Sequence, residues 1–215
     1  MHTVDLIHVT PDAEQLIAYM ARVSNPANQD SINYTGLIKY LIKHKHWSPF
    51  EMVNMCVEIN TTRSIAAQLL RHRSFSFQEF SQRYADVTYL GGPILPELRR
   101  QDLTNRQHSI DDINHHDQQL WLKMIDKYFK QGMDLYANML EAGIAKECAR
   151  EVLPMSSPSR LYMNGTLRSW IHYIDLRTHE STQTEHRSIA NSIKTLVLNN
   201  FPLIYKSIWN EETPT

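Results

Sequence analysis

Apolar positions in the first third of the chain follow two periods. Val4 to Val9 reads as a strand, and the stretch from about Pro11 places Leu16, Ile17, Met20 and Val23 at helical spacing. Ile32 to His44 repeats the helical period. Glu51 to Asn60 then sets Met52, Asn54, Cys56 and Glu58 against Val53, Met55, Val57 and Ile59, the two-residue period of a strand, so Cys56 shares a face with polar neighbours. Thr61 to Leu70 predicts a short amphipathic helix that buries Ile65, Ala66, Leu69 and Leu70, with Gln68 and Arg71 on one face. Beyond Arg73 the pattern becomes Phe75, Phe77 and Phe80 with polar residues between, an irregular or extended return that would set Glu79, Ser81 and Arg83 opposite Arg71.

Tyr84 to Leu90 offers a further strand, and Gly91 to His108 reads as a loop, a candidate lid or substrate loop. Ser109 with Asp112 resembles a capping box, and a near-heptad stripe from Leu120 through Trp121, Met124, Tyr128 and Tyr136 continues to Gly143. A helix of about 30 residues would extend about 45 Å, more than a domain of this size covers alone, which implies a subunit interface. The C-terminal third reads as helical again, over Ala145 to Val152, about Leu167 to Thr178, and Thr182 to Asn200. The expectation is an α+β fold with a small mixed sheet and several helices, one of them long, as one domain over 1–215 in an oligomer.

Charge narrows the function classes. Lys plus Arg (22) nearly cancels Asp plus Glu (23), so no global positive field favours nucleic acid, and the 42% apolar content is enough for a full core. Cys56 and Cys148 lie too far apart to suggest a disulfide framework, which points to a reducing compartment. The N-terminus shows no signal-peptide pattern, and no apolar run approaches the roughly 20 residues that span a bilayer. A soluble, unprocessed, cytoplasmic chain without a membrane partner is expected.

Positive charge is concentrated between Gln68 and Arg83. Arg71, His72, Arg73 and Arg83 stand there among Glu79, Ser81 and Gln82, and Arg grips planar anionic groups bidentately. Phosphate and a heterocycle together suggest a nucleotide. With six glycines and neither of the usual glycine-rich phosphate loops, side chains would have to hold the phosphates, and Arg150, Arg168 and Arg177 are further candidates. Ser81 has no base arranged to activate it and reads as a substrate positioner, whereas Cys148 reads as a buried structural thiol. His172, His179 and His186 recur at seven-residue spacing, but a break near Thr178 to Thr182 would separate them, so no metal site is expected.

Arg71-His72-Arg73, then seven residues, then Ser81 resembles the signature of the flavin-dependent thymidylate synthases, with Gln68, Ser76, Glu79 and Arg83 also at the family's spacing. Three more blocks match in order: His46 to Glu51, Ala149-Arg150 to Pro154, and Leu176-Arg177 followed by Gln183 and Glu185. The resemblance implies methylation of dUMP to dTMP, with 5,10-methylenetetrahydrofolate giving carbon, NADPH giving electrons and FAD relaying hydride. It implies a homotetramer whose active sites are shared between subunits. It makes Arg177 the catalytic residue that polarises the pyrimidine, and it assigns Gln68, Arg71, Glu79, Ser81, Gln82, Arg83, Arg150 and Arg177 to the nucleotide. FAD falls to Ser48, Arg71, His72, Arg73, Glu79, Thr166, Arg168 and His172, with His46 near the flavin ring.

Two positions depart from the family pattern: His172 stands where many relatives carry Asn, and Ser181 where many carry His. Both can still hydrogen-bond. Two other classes use the same residues. A nucleotide or RNA binder would stack bases on Phe75, Phe77 and Tyr84, although the balanced charge argues against it. A flavoprotein oxidase or reductase would keep the fold and lose methyl transfer.

Overall fold

The structure is a computed structural model and describes residues 2–209. Strand β1 (Thr3–Val9) pairs with β2 (Asn54–Thr62), β2 pairs with β6 (Pro158–Thr166), and β6 pairs with β3 (Ser76–Glu79). The sheet order is β1-β2-β6-β3 and each pairing is antiparallel, so the sheet is not the mixed one expected. The reason lies in how its faces are covered. Met55, Val57 and Ile59 of β2 and Leu161 and Met163 of β6 are fully buried in the core, while Glu58, Asn60, Arg160 and Tyr162 face the other way. Antiparallel pairing allows one face to stay outside the core, whereas parallel strands need crossover helices on both.

Helices α1 (Ala13–Ala21), α2 (Thr35–Lys43), α6 (Leu167–Arg177), α7 (Thr184–Asn200) and α8 (Pro202–Trp209) supply the opposing layer. Trp170 and Tyr173 on α6 are fully buried, and the Trp170 indole donates to the Met55 carbonyl at 2.9 Å, pinning α6 to the sheet. Thr166 caps α6, its hydroxyl accepting from the Ser169 amide at 3.3 Å. Gly165 lets Phe75 lie against the sheet, because a Cβ there would collide with the Phe75 ring.

Several expectations need correction. Strand β6 falls in the stretch between two expected helices, to which no element was assigned; its alternation is masked by Pro158 at its start and Gly165 near its end, and its partner β2 lies about a hundred residues upstream. Val87–Leu90 is a 3-10 turn capped by Asp86 rather than a strand. Helix α3 (Arg63–Leu69) starts at the Thr62 cap and ends before Leu70, which is exposed. The long helix α4 (His115–Glu141) is capped by Asn114, which accepts from the Asp117 amide. Ser109 instead pairs, as β5 (Ser109–Ile110), with β4 (Arg100–Gln101) inside the segment read as a loop. Helix α5 (Lys146–Ala149) is a single turn that leaves Cys148 exposed, not buried.

Candidate active site

Helices α3, α6 and α7 converge on one polar centre, buried at Tyr173 and His186 and partly open at Gln68, His72 and Arg177. Arg177 sits in the last turn of α6 and donates from Nε to His72 Nε2 at 3.0 Å. Burial, and then the charges of Arg177 and His172, push the His72 imidazole down to about 4, so it is neutral and its proton rests on Nδ1. The His72 ring meets Tyr173 edge-on at 4.9 Å. His186 on α7 has no exposed surface and bridges Gln68 Oε1 at 3.3 Å and the Tyr173 hydroxyl at 3.2 Å. Burial first, with Arg177 and His72 adding, lowers His186 to about 3. Gln68 in turn donates to Gln183 Oε1 at 2.7 Å.

A cleft of about 440 Å³ opens along α6, within the range of small-molecule sites. Trp47 and Ile171 form apolar walls, and Ser74, Arg168, Ser169 and His172 supply polar groups, with Glu51 and Asp175 also on the lining. Glu51 accepts from Thr166 Oγ1 and from Arg168 Nη1, both at 2.8 Å, so Arg168 offsets its charge and the two are held together. Arg71 and Arg73 are exposed and make no ion pair among the described residues. This set suits a flavin nucleotide: flat apolar walls for a ring, and Arg, Ser and His donors for a diphosphate. Ser48 is exposed at the head of the Ser48–Glu51 turn, and His46 is exposed beside the rings of Tyr40 and His44.

The remaining candidates lie elsewhere. Glu79 on β3 accepts from Arg63 at 2.5 Å and from Ser159 at 2.7 Å, so its partners are those two residues rather than Arg71. Gln82 is buried with its amide nitrogen unpartnered, and it lines a second cavity of about 320 Å³ with Arg63 and Arg150. Arg83 pairs with Glu147 at 2.7 Å, both well exposed, and Arg150 lies 3.5 Å from Glu151. Ser81 is exposed. The second cavity shares no residue with the cleft or with the Gln68, His72 and Arg177 cluster, whereas His172, on the cleft lining, is near enough to act on His72. Glu51, Tyr173 and His186 were not singled out as site residues from sequence. Glu51 closes a matched motif, which was the signal that could have found it, but no spacing links His186 to Gln68, which lies 118 residues away. Among the described residues, no group of three or more His, Cys, Asp or Glu side chains is placed to hold a metal ion.

Residues 5–203 match the family model described as thymidylate synthase complementing protein. A probable flavin-dependent thymidylate synthase of Paramecium bursaria Chlorella virus 1 is 53% identical over 197 residues, covering 91% of this chain and 90% of that protein. The chain belongs to the flavin-dependent thymidylate synthase family. The Synechocystis member of the family is 49% identical over 191 residues, covering 89% of this chain and 87% of its own length. Among solved structures, the UMP/dUMP methylase PolB from Streptomyces cacaoi, bound with 5-Br dUMP, superposes with a TM-score of 0.84 at 28% identity, covering 96% of this chain and 94% of that one. Family membership agrees with the four motif blocks, which all fall inside the matched span.

Proposed function

We propose that this chain methylates dUMP to dTMP, with 5,10-methylenetetrahydrofolate as carbon donor, NADPH as reductant and FAD as the bound cofactor. The observation that carries the reading is Arg177. Its Nε is committed to neutral His72, and its two Nη groups make no other hydrogen bond among the described residues, so a planar donor edge is held in place for a ligand. Flavin, when bound, supplies redox chemistry that no side chain provides. The chain's own part is positioning and electrostatics. A guanidinium aimed at charge developing on the pyrimidine stabilises the transition state more than the ground state, and its fixed orientation removes the cost of reorganisation. Neutral His72 serves here as an acceptor; a protonated imidazole would repel Arg177 and lose the Nε contact.

Gln68, Arg71, Glu79, Ser81, Gln82, Arg83 and Arg150 bind the nucleotide in this reading, with Ser81, Arg83 and Arg150 toward its phosphate. Ser48, Arg71, His72, Arg73, Glu79, Thr166, Arg168 and His172 hold FAD, and His46 lies near its ring. One domain over 1–215 assembles as a homotetramer that shares its sites. Two observations support assembly: Leu120, Trp121, Met124 and Tyr128 leave half or more of their surface exposed along α4, and the cavity with the proposed nucleotide residues Gln82 and Arg150 is not the cleft lined by the proposed cofactor residues Arg168 and His172. The described residues contain no helix long and apolar enough to cross a membrane, and we place the enzyme in the cytoplasm.

The test is an absorption spectrum of the purified protein, then anaerobic reduction with NADPH and addition of dUMP with methylenetetrahydrofolate. Flavin reoxidation with dTMP formed is the expected result. Bound flavin without dTMP would instead mark a reductase, and a protein unable to take up FAD would overturn the cofactor assignment.

A further inference from the structure

The segment 91–108, which the sequence pattern leaves as an open loop, is tied by one side chain to the solvent-facing side of the polar centre, at Glu185. Arg99 donates from Nη2 to Glu185 Oε1 at 2.5 Å, from Nε to Ser109 Oγ at 3.0 Å and from Nη1 to Glu97 at 3.1 Å. Side-chain exposures of 14% for Arg99 and 15% for Glu185 make this the most enclosed ion pair among the described residues. An enclosed pair is a poor source of stability, because desolvation offsets most of the attraction. Its strength is directional: a fixed carboxylate can only accept.

That direction passes along the chain of contacts. Glu185 Oε2 accepts from Gln183 Nε2 at 2.9 Å, which turns the Gln183 carbonyl toward Gln68. Gln183 Oε1 accepts from Gln68 Nε2 at 2.7 Å, which leaves Gln68 Oε1 to accept from His186 Nδ1 at 3.3 Å. His186 then carries its proton on Nδ1, and Nε2 accepts from the Tyr173 hydroxyl at 3.2 Å. Amide groups are otherwise free to flip, and a flipped Gln68 would offer a ligand the opposite pattern of donors and acceptors.

We propose that Arg99 is a positioning residue for nucleotide binding, setting the orientation of the Gln68 amide through Glu185 and Gln183, and so making the 91–108 segment part of the recognition of the pyrimidine nucleotide. The inference rests on the reading of Gln68 as a nucleotide-binding residue. It gives Arg99 no contact with the ligand.

The test is a double-mutant cycle read by titrating dUMP into the flavin-loaded enzyme and following the flavin absorbance. In the otherwise unchanged enzyme, Arg99→Met is expected to weaken dUMP on the order of tenfold, the scale of one well-placed hydrogen bond, with flavin content unchanged. Arg99→Lys should recover part of the loss. In the Gln68→Ala background, Arg99→Met should change little, because the group it orients is gone. Equal weakening in both backgrounds, or none in either, overturns the proposal. Glu185→Gln, nearly isosteric, serves in the same cycle if Arg99→Met does not fold. Failure of the underlying reading looks different: unsubstituted enzyme that takes up flavin but does not respond to dUMP would remove both proposals. A normal response, weakened by Gln68→Ala and untouched by Arg99→Met, would remove this one alone.

Discussion

At one end of the segment from Gln68 to Arg83, Gln68 and His72 find partners within the chain, on Gln183, His186 and Arg177. At the other end Ser81 and Arg83 stand in solvent, and Arg83 has a single exposed partner in Glu147. Under the proposed function, the difference separates two tasks. Groups that must hold a fixed direction in a site partly closed to water are locked before any ligand arrives, because reorientation in a low dielectric is costly. Groups that meet a phosphate can remain hydrated and mobile until it arrives, because charge attraction needs little directional precision. Helix α6 carries the first kind at its C-terminal end, in Arg177, and lines the open cleft with Arg168 and His172.

The sharpest way to break this comparison is Arg177→Ala. Loss of methyl transfer by about 10²–10³-fold is expected, the scale of removing one preorganised donor, with flavin content and melting temperature retained. Synthase activity close to that of the unsubstituted enzyme would show that the locked end is merely structural.

Gly165→Ala probes the packing beneath it. The added methyl meets the Phe75 ring, which borders His72 at 6.3 Å, and a loss of about 1–3 kcal/mol of stability is expected from the overpacking. Thermal unfolding should show a fall of several degrees. An unchanged melting temperature would mean that Phe75 has room to move.

Acid should act on the locked end first. His72 and His186 lie at about 4 and about 3 when folded, against an ordinary 6.5, so the unfolded chain binds more protons between those values. Their contribution is complete above about pH 6.5 and declines as pH falls, levelling off near 4 for His72 and near 3 for His186. Melting temperature measured from pH 7 down to about 4 should fall, and less steeply in His186→Phe. Identical slopes for the two proteins would place the acid sensitivity elsewhere.

The smallest structural effect belongs to the solvated end. Arg83→Ala removes an exposed ion pair and should shift stability by no more than about 0.5 kcal/mol, while dUMP binding to the flavin-loaded enzyme weakens on the order of tenfold. Unaltered dUMP binding would remove Arg83 from the phosphate contacts.

Local periodicity carried β1, β2, α3, α6 and α7 to within a few residues, since each buries one face and repeats at its own period. The motif blocks carried the family and brought Gln68, His72 and Arg177 forward as candidates before any contact was known. Strand β6 was hidden because a central strand that starts at a proline and carries Gly165 near its end shows its role only when β2 and β3 pair on either side of it. The antiparallel sense of the sheet, the burial of His186 and the reach of Arg99 to Glu185 were likewise beyond the linear pattern. Residue types and local spacing set which chemistry the chain can perform. Which amide faces which imidazole depends on contacts between residues more than a hundred positions apart, and only the packed fold brings those into register.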